Sequence, residues 1–352
     1  MSETLAIGLM SGSSLDGVDL ALVRFDNRNG KYVFQIIDAD TIPYPEKWKK
    51  CLSEAFLHQP EELHDTSIAL GRFYGELVAD FAKKNHVHPD FVASHGHTIF
   101  HKPEQHFTLQ IGDGQAMADA CKFKTINDFR SEDVDKGGQG APLVPIGDKL
   151  LFGDYEACLN IGGIANVSYE ERGKRIAYDI CIANQALNHL AQREGLEYDR
   201  DGHLACGGHI DEALLSQLNA DSFFTQSAPK SLGREFFESK QKDLLNGHPT
   251  ADLLCTFTEH IAQQIGMALS GLPKGKLLIT GGGAWNAFLV ERIQSHTRHE
   301  VVIPSKDIVN YKEALIFAFL GLLKTEGKTN VLSSVTGAAS DSSSGVVWTP
   351  HF

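Results

Sequence analysis

The sequence predicts an α/β protein built from two layered domains, and three observations carry that prediction. Short apolar runs alternate with segments of helical spacing along the whole chain. Near residue 157 the pattern starts again, with the same strand, glycine turn and strand that open the chain. The length of 352 residues suits about two domains of roughly 150 residues and leaves enough chain for two cores.

The elements follow in order. Leu5 to Met10 and Leu20 to Phe25 read as strands around the polar turn "SGSSLDGVD", and "KYVFQIIDADTI" as a third. "TSIALGRFYGELVADFAKKN" carries Ile68, Phe73, Leu77 and Phe81 at helical spacing. "DFVASHG" reads as a short strand, "DGQAMADACKF" as a helix and "KTINDF" as a strand. The second block opens with "ACLNIGGIANVSYEE", again strand, glycine turn, strand, and continues with the strand "KRIAYDI". The helix "NQALNHLAQREG" is expected to have Asn184 as its N-cap and Gly195 just past its end. "GKLLITGGGAWNAFLVERI" reads as a strand, three glycines and a helix; "YKEALIFAFLGLLKTEG" is the last strong helix, and "SSVTGAASDSSSG" reads as a loop. The two glycine hairpins make a weak repeat of architecture with little identity of letters.

Composition narrows the class of function. With 42% apolar and 22% charged residues the chain is an ordinary globular one. Its net charge of -13, with no basic run, argues against nucleic acid and against an anionic membrane surface. The six cysteines are too widely spaced for CxxC motifs and read as reduced thiols. "MSETLAIGLM" has no basic segment before its apolar residues, and "ALIFAFLGLL" is too short to span a bilayer, so a cytosolic protein is expected.

Glycine-rich turns let backbone N–H groups converge on a phosphate without net positive charge. Both hairpins could be only tight turns. The first, however, spends nine residues, including Asp16 and Asp19, where a tight turn needs two or three special ones. "TGGGAWN" ends a strand before a helix and offers a further nucleotide contact. A Rossmann reading fits poorly, because the run is not GxGxxG and comes late in the chain.

Two phosphate hairpins and a late strand–GGG–helix element resemble the sugar kinase, Hsp70 and actin superfamily. Within it, "GLMSGSSLDGVD", "SHGHTIFH", "TLQIGDG", "NDFRSEDVDKGGQGAPLVP", "LNIGGIANVS", "YDRDGHLA", "TGGGAWN" and "SVTGA" resemble the anhydro-N-acetylmuramic acid kinase family, in family order and over nearly the whole chain. The resemblance implies a two-lobed actin-like ATPase (ribonuclease H-like) fold with an interdomain ATP cleft. Residues 1–155 with 320–352 would form the first lobe, and residues 156–319 the second. It implies ATP and Mg2+ as cofactors, an anhydro-amino-sugar substrate opened by water and phosphorylated on O6, and a homodimer.

Carried onto this chain, the family pattern makes Asp179 the base that activates water, with Glu313 as a second carboxylate near the sugar and Arg130 as a cation for carboxylate or phosphoryl. Nucleotide contacts are expected from Gly12, Ser13, Ser14, Leu15, Asp16, Gly17, Val18 and Asp19. Asn160, Gly162, Gly163 and Asn166 should add to them from the second hairpin, and Gly281, Gly282, Gly283 and Asn286 from the GGG element. His95, Thr98, Arg130, Asp179 and Glu313 are expected at the sugar. The spacing of His95, His97 and His101 could also suggest a metal, and the magnesium ligands stay open. The chain departs from the family pattern after Asp179: "DICIAN" stands where Asp-x-Gly-Pro-x-Asn is usual. Ser13 replaces a usual Thr and His97 a usual Gln. Other readings of the same residues are a kinase for another sugar or acid, an actin- or Hsp70-like ATPase, and a nucleotide-dependent sensor.

Overall fold

A computed structural model describes residues 3–12, 15–102 and 105–351. The chain divides into two compact units, Met1–Leu151 with Tyr311–Phe352, and Phe152–Asn310. The second division falls at Tyr311, where the helix Lys306–Thr325 breaks its regular geometry (φ -118°, ψ 16°), rather than at the expected 319/320.

In the first unit, β1 (Thr4–Ser11), β2 (Gly17–Arg28) and β3 (Lys31–Pro43) form an antiparallel meander. Beside β1 run β4 (Phe91–Ser94) and β7 (Thr125–Asn127), both parallel. A separate hairpin joins β5 (His97–Lys102) to β6 (Phe107–Ile111). β13 (Val346–Trp348) closes the far edge antiparallel to β7, giving the order β13-β7-β4-β1-β2-β3. Ile7, Leu9, Val18, Leu20 and Leu22 feed one core with Leu70, Tyr74 and Val78 of the helix His64–Lys84. Gly8 permits a close approach on the sheet: a Cβ there would lie 1.8 Å from the Ala314 carbonyl oxygen of the helix Lys306–Thr325.

The second unit repeats the plan. β8 (Ala157–Ile161), β9 (Ile164–Glu171) and β10 (Lys174–Ile182) form an antiparallel meander; β11 (Lys276–Thr280) and β12 (Glu300–Val302) run parallel to β8. The order is β10-β9-β8-β11-β12. Both sheets therefore share one topology, three antiparallel strands followed by two parallel ones. This is the ribonuclease H-like plan expected of each half of the actin-like fold. The helix Thr250–Leu269 is buried along most of its length and packs on this sheet with the helices Asn184–Ala191, Glu212–Asn219 and Ala287–His296.

Three local expectations change. Ala183, not Asn184, is the residue before the first turn of the helix Asn184–Ala191. The GGG run does not open a helix directly: a single 3-10 turn, Gly282–Trp285, comes first, and Asn286 caps the helix Ala287–His296. The terminal small-residue run contains one helical turn, Ser333–Thr336. Gly195 does end the short 3-10 extension of its helix, at φ 73°. Among the described residues no helix is long and apolar enough to cross a membrane.

Candidate active site

In the second unit the sheet register builds a polar row. Asp179 pairs with Asn166, Asn166 with Asn160, and Asn160 with Thr280. Paired residues of neighbouring strands point to the same face, so these four side chains line one side of the sheet beside the hairpin. The Thr280 hydroxyl lies 3.4 Å from Asn160 Oδ1. β10 does not end at Asp179; it runs to Ile182, with a bulge between Asp179 and Cys181. Bulges re-aim a side chain in this way. The Asp179 N–H donates to the Lys230 carbonyl (3.1 Å), and Asp179 Oδ2 accepts from the Leu232 N–H (2.8 Å). Burial raises the Asp179 carboxyl above the usual carboxylate range, and the Leu232 N–H opposes that shift.

The hairpin glycines face open room. A Cβ on Gly162 or Gly163 would meet nothing closer than 3.7 Å, and on Gly282 nothing closer than 3.6 Å. The Gly163 carbonyl accepts the N–H groups of Ala183 and Gln185, and the Gly162 carbonyl that of Asn184. Those carbonyls supply what an N-cap side chain would, so the Asn184 amide is released to donate to the Ile161 carbonyl (3.2 Å). Gly281 is a different case. Its φ of 82° with ψ of 169° is open in practice only to glycine. A Cβ there would lie 2.7 Å from Asn160 Oδ1 and from the Ile161 oxygen. Gly283 packs equally close on Ile161. The Asn286 side chain is committed to the Leu289 N–H (3.0 Å).

Next to this element is a cavity of about 350 Å³, lined by Asn184, Leu187, Tyr198, Leu254, Gly282 and Trp285 among others. Its volume and its apolar walls with a few polar groups suit a small-molecule ligand. Cys181 and Ile182, which stand where the family pattern has Gly and Pro, and Ala183 after them are all fully buried in the core of the second unit.

The first unit carries a second cluster. Ser13 and Ser14 lie outside the described residues. Gly12 and Leu15 flank them, with Leu15 in the left-handed region (φ 59°), and Asp16 is exposed. Gly17 begins β2 against the Ile42 carbonyl. Val18 is fully buried, so its side chain belongs to the core and only its backbone can face a ligand. Asp19 Oδ1 accepts from the Thr41 hydroxyl (2.6 Å). Burial raises the Asp19 carboxyl, Thr41 opposes the shift and Asp16 adds to it.

His95 is expected at the sugar, but both its ring nitrogens are occupied. Nδ1 lies 3.0 Å from the Gly96 carbonyl, which can only accept, so Nδ1 carries the proton. Nε2 then accepts from Arg130 Nε and Nη2 (3.1 and 2.9 Å). Burial, then the Arg130 charge, holds His95 well below the usual histidine range and therefore neutral. Arg130 Nη1 donates to the Gly140 carbonyl (2.5 Å). Burial lowers its pKa to about 10, still cationic at neutral pH, with Glu313 and Asp133 acting the other way. Glu313 is an exposed residue of its helix, and protein crowded around its carboxyl raises it, with Lys312 opposing, Asp19 adding and Arg130 opposing. Lys312 itself is bound to Asp148 at 2.8 Å in a buried pair. Thr98 sits on β5 at a bulge, within 3.4 Å of the Gln110 amide.

Two networks join residues that the sequence does not show to be neighbours. A chain of buried groups links Tyr74, Tyr44, Ser11 and His97, with contacts of 2.6, 2.7 and 2.8 Å. It ties the end of β1 to the start of β5, and burial lowers the His97 pKa to about 4. The other is the Lys230–Leu232 segment against Asp179. The three histidines do not form a metal site: His101 is exposed near Thr108, and among the described residues no group of three or more His, Cys, Asp or Glu could hold a metal.

A family model described as anhydro-N-acetylmuramic acid kinase matches residues 4–350. A relative of that name from Vibrio cholerae serotype O1 is 35% identical, with 98% of each chain covered. Another from Mannheimia succiniciproducens is 36% identical over 99% of this chain and 100% of its own. One from Caldanaerobacter subterraneus subsp. tengcongensis is 32% identical over 96% and 94%. On this match, spanning both units and the residues of both clusters, the chain belongs to the anhydro-N-acetylmuramic acid kinase family.

Proposed function

We propose that the chain is an ATP-dependent kinase that opens 1,6-anhydro-N-acetylmuramic acid with water and phosphorylates O6, giving N-acetylmuramic acid 6-phosphate and ADP in peptidoglycan recycling. The observation that carries the reading is the placement of Asp179. One carboxylate oxygen is held by a backbone N–H, and the side chain stands on a polar row beside the open glycine hairpin.

The nucleotide base would take the cavity beside Gly282 and Trp285, and the phosphates the room above Gly162 and Gly163. Asp179 accepts a proton from water as the water oxygen bonds to the anomeric carbon. The C1–O6 bond breaks with its electron pair on O6, O6 bonds to the γ-phosphorus, and the bond to the β-phosphate oxygen breaks to release ADP. Arg130, kept cationic and oriented by His95 and Gly140, would stabilise charge on a sugar carboxylate or on the phosphoryl group. Glu313, with a raised pKa, would hydrogen-bond the sugar. Asp19 on the first hairpin fits a magnesium ion arriving with the phosphates, because burial and Asp16 already disfavour its uncompensated charge. Such an ion would neutralise phosphate charge. A cytoplasmic homodimer is the setting we propose, from the family resemblance.

Asp179→Asn tests the reading. Asparagine keeps an acceptor oxygen for the Leu232 N–H but is no base. Nucleotide binding should persist, and turnover should fall by about two to four orders of magnitude. Turnover close to the wild type would remove Asp179 from the mechanism.

A further inference from the structure

β10 is the outer strand of its sheet, so its outward N–H and C=O groups lack a strand partner. At Asp179 that edge is covered by a segment without helix or strand, residues 226–233. The segment makes two bonds to the one residue. The Lys230 carbonyl accepts the Asp179 N–H, and the Leu232 N–H donates to Asp179 Oδ2.

What holds the segment down is Lys230. Its neighbours Thr225 to Pro229 and Ser231 are exposed, whereas Lys230 is half-buried and turned inward. Its ammonium donates to the Phe223 carbonyl (3.0 Å) and lies within 3.4 Å of the Phe224 carbonyl. It also sits 4.6 Å from the Phe223 ring centre and 5.6 Å from that of Tyr178, the residue before Asp179. Burial lowers the Lys230 pKa, with the Cys181 sulfur opposing, so the ammonium is placed at some cost in hydration. A charged group held between two rings and two carbonyls is a strong local anchor.

We propose that Lys230 is a positioning residue for the candidate base: it pins the 230–232 segment, which fixes the Asp179 carboxylate through Oδ2 and leaves Oδ1 to the water. The inference rests on the function proposed above and adds a residue to it. The Leu232 N–H favours the ionised carboxylate and burial under the segment disfavours it, so releasing the segment changes both and moves the Asp179 pKa. The other ionisable groups at this place are Cys181, whose thiol burial keeps protonated, and Lys230 itself; Tyr178 and its partner Tyr169 are likewise held protonated.

The test is the pH profile of kcat and kcat/KM for Lys230→Met and Lys230→Arg, beside wild type and Asp179→Asn. Lys230→Met should lower kcat about tenfold or more, leave KM for ATP within about twofold, and displace the acid limb of kcat/KM from its wild-type position. Lys230→Arg, which keeps the cation and its carbonyl contacts, should restore most of kcat and the limb. If Lys230→Met does not fold, Leu232→Pro, which removes that N–H and also fixes φ and exchanges the half-buried leucine side chain, is read the same way once its melting temperature matches wild type. A wild-type kcat and limb in Lys230→Met overturns the inference. So does a fall in kcat with an unmoved limb that arginine does not restore. Full activity in Asp179→Asn would instead overturn the function on which it rests.

Discussion

Replacing Gly163 with valine asks directly whether the second hairpin holds phosphate. Gly163 has no left-handed φ, and an added Cβ would find the Gln185 Cβ at 3.8 Å as its nearest neighbour. The fold therefore tolerates a side chain there, and the variant should melt within a few degrees of wild type. The branched side chain would fill the room a phosphate needs and cost at least one N–H contact to a charged oxygen. Such contacts contribute about 1.5–3 kcal/mol, so nucleotide affinity should fall by about 10- to 150-fold. Trp285 lines the adjoining cavity, so titrating ADP against tryptophan fluorescence, with calorimetry as a check, reads the affinity. A folded Gly163→Val protein that binds ADP like wild type would refute the cradle. Substituting Gly281 would decide nothing, since its φ of 82° and its contact with Ile161 make any change there a change in the fold.

Two further outcomes follow from the first unit. Arg130→Lys keeps the charge but loses the fork that reaches both His95 Nε2 and the Gly140 carbonyl; kcat/KM for the sugar should fall by about two orders of magnitude, while ADP binding is unchanged. The second concerns pH and stability. His97 has a folded pKa of about 4 against 6.5, so acid protonates the unfolded chain first. Its contribution is intact above pH 6.5 and is lost as pH falls toward 4, by up to about 1.4 kcal/mol per pH unit. Urea midpoints measured at pH 7, 6 and 5 should fall less steeply in His97→Gln than in wild type; parallel curves would contradict the buried neutral ring.

The strands and glycine turns were legible because their signals are local. Alternation marks β1 to β3, and the second hairpin repeats the first, so the shared topology of the two sheets could be anticipated. The helix Thr250–Leu269, buried along most of its length, was not among the legible elements. Asn184 looked like an N-cap, yet the carbonyls of Gly162 and Gly163, some twenty positions earlier, do that work. Asp179 was singled out by the family pattern, on a strand the sequence predicts. Its partners Lys230 and Leu232 come from an irregular segment about fifty residues away, where no periodicity points to them. His95 shows a similar limit: the sequence offers a polar residue near a ligand, and only the geometry shows both nitrogens already taken by Gly96 and Arg130. The Tyr74–Tyr44–Ser11–His97 chain joins a helix, two strands and the residue after β3, far apart in sequence, and no local pattern pairs them.

The most direct test of the account is ADP release from Mg-ATP with and without 1,6-anhydro-N-acetylmuramic acid, with the product weighed by mass spectrometry. The account predicts sugar-dependent ADP and a product heavier than the sugar by one water plus one phosphoryl group. ADP release indifferent to the sugar, or a product heavier by phosphoryl alone, would contradict it.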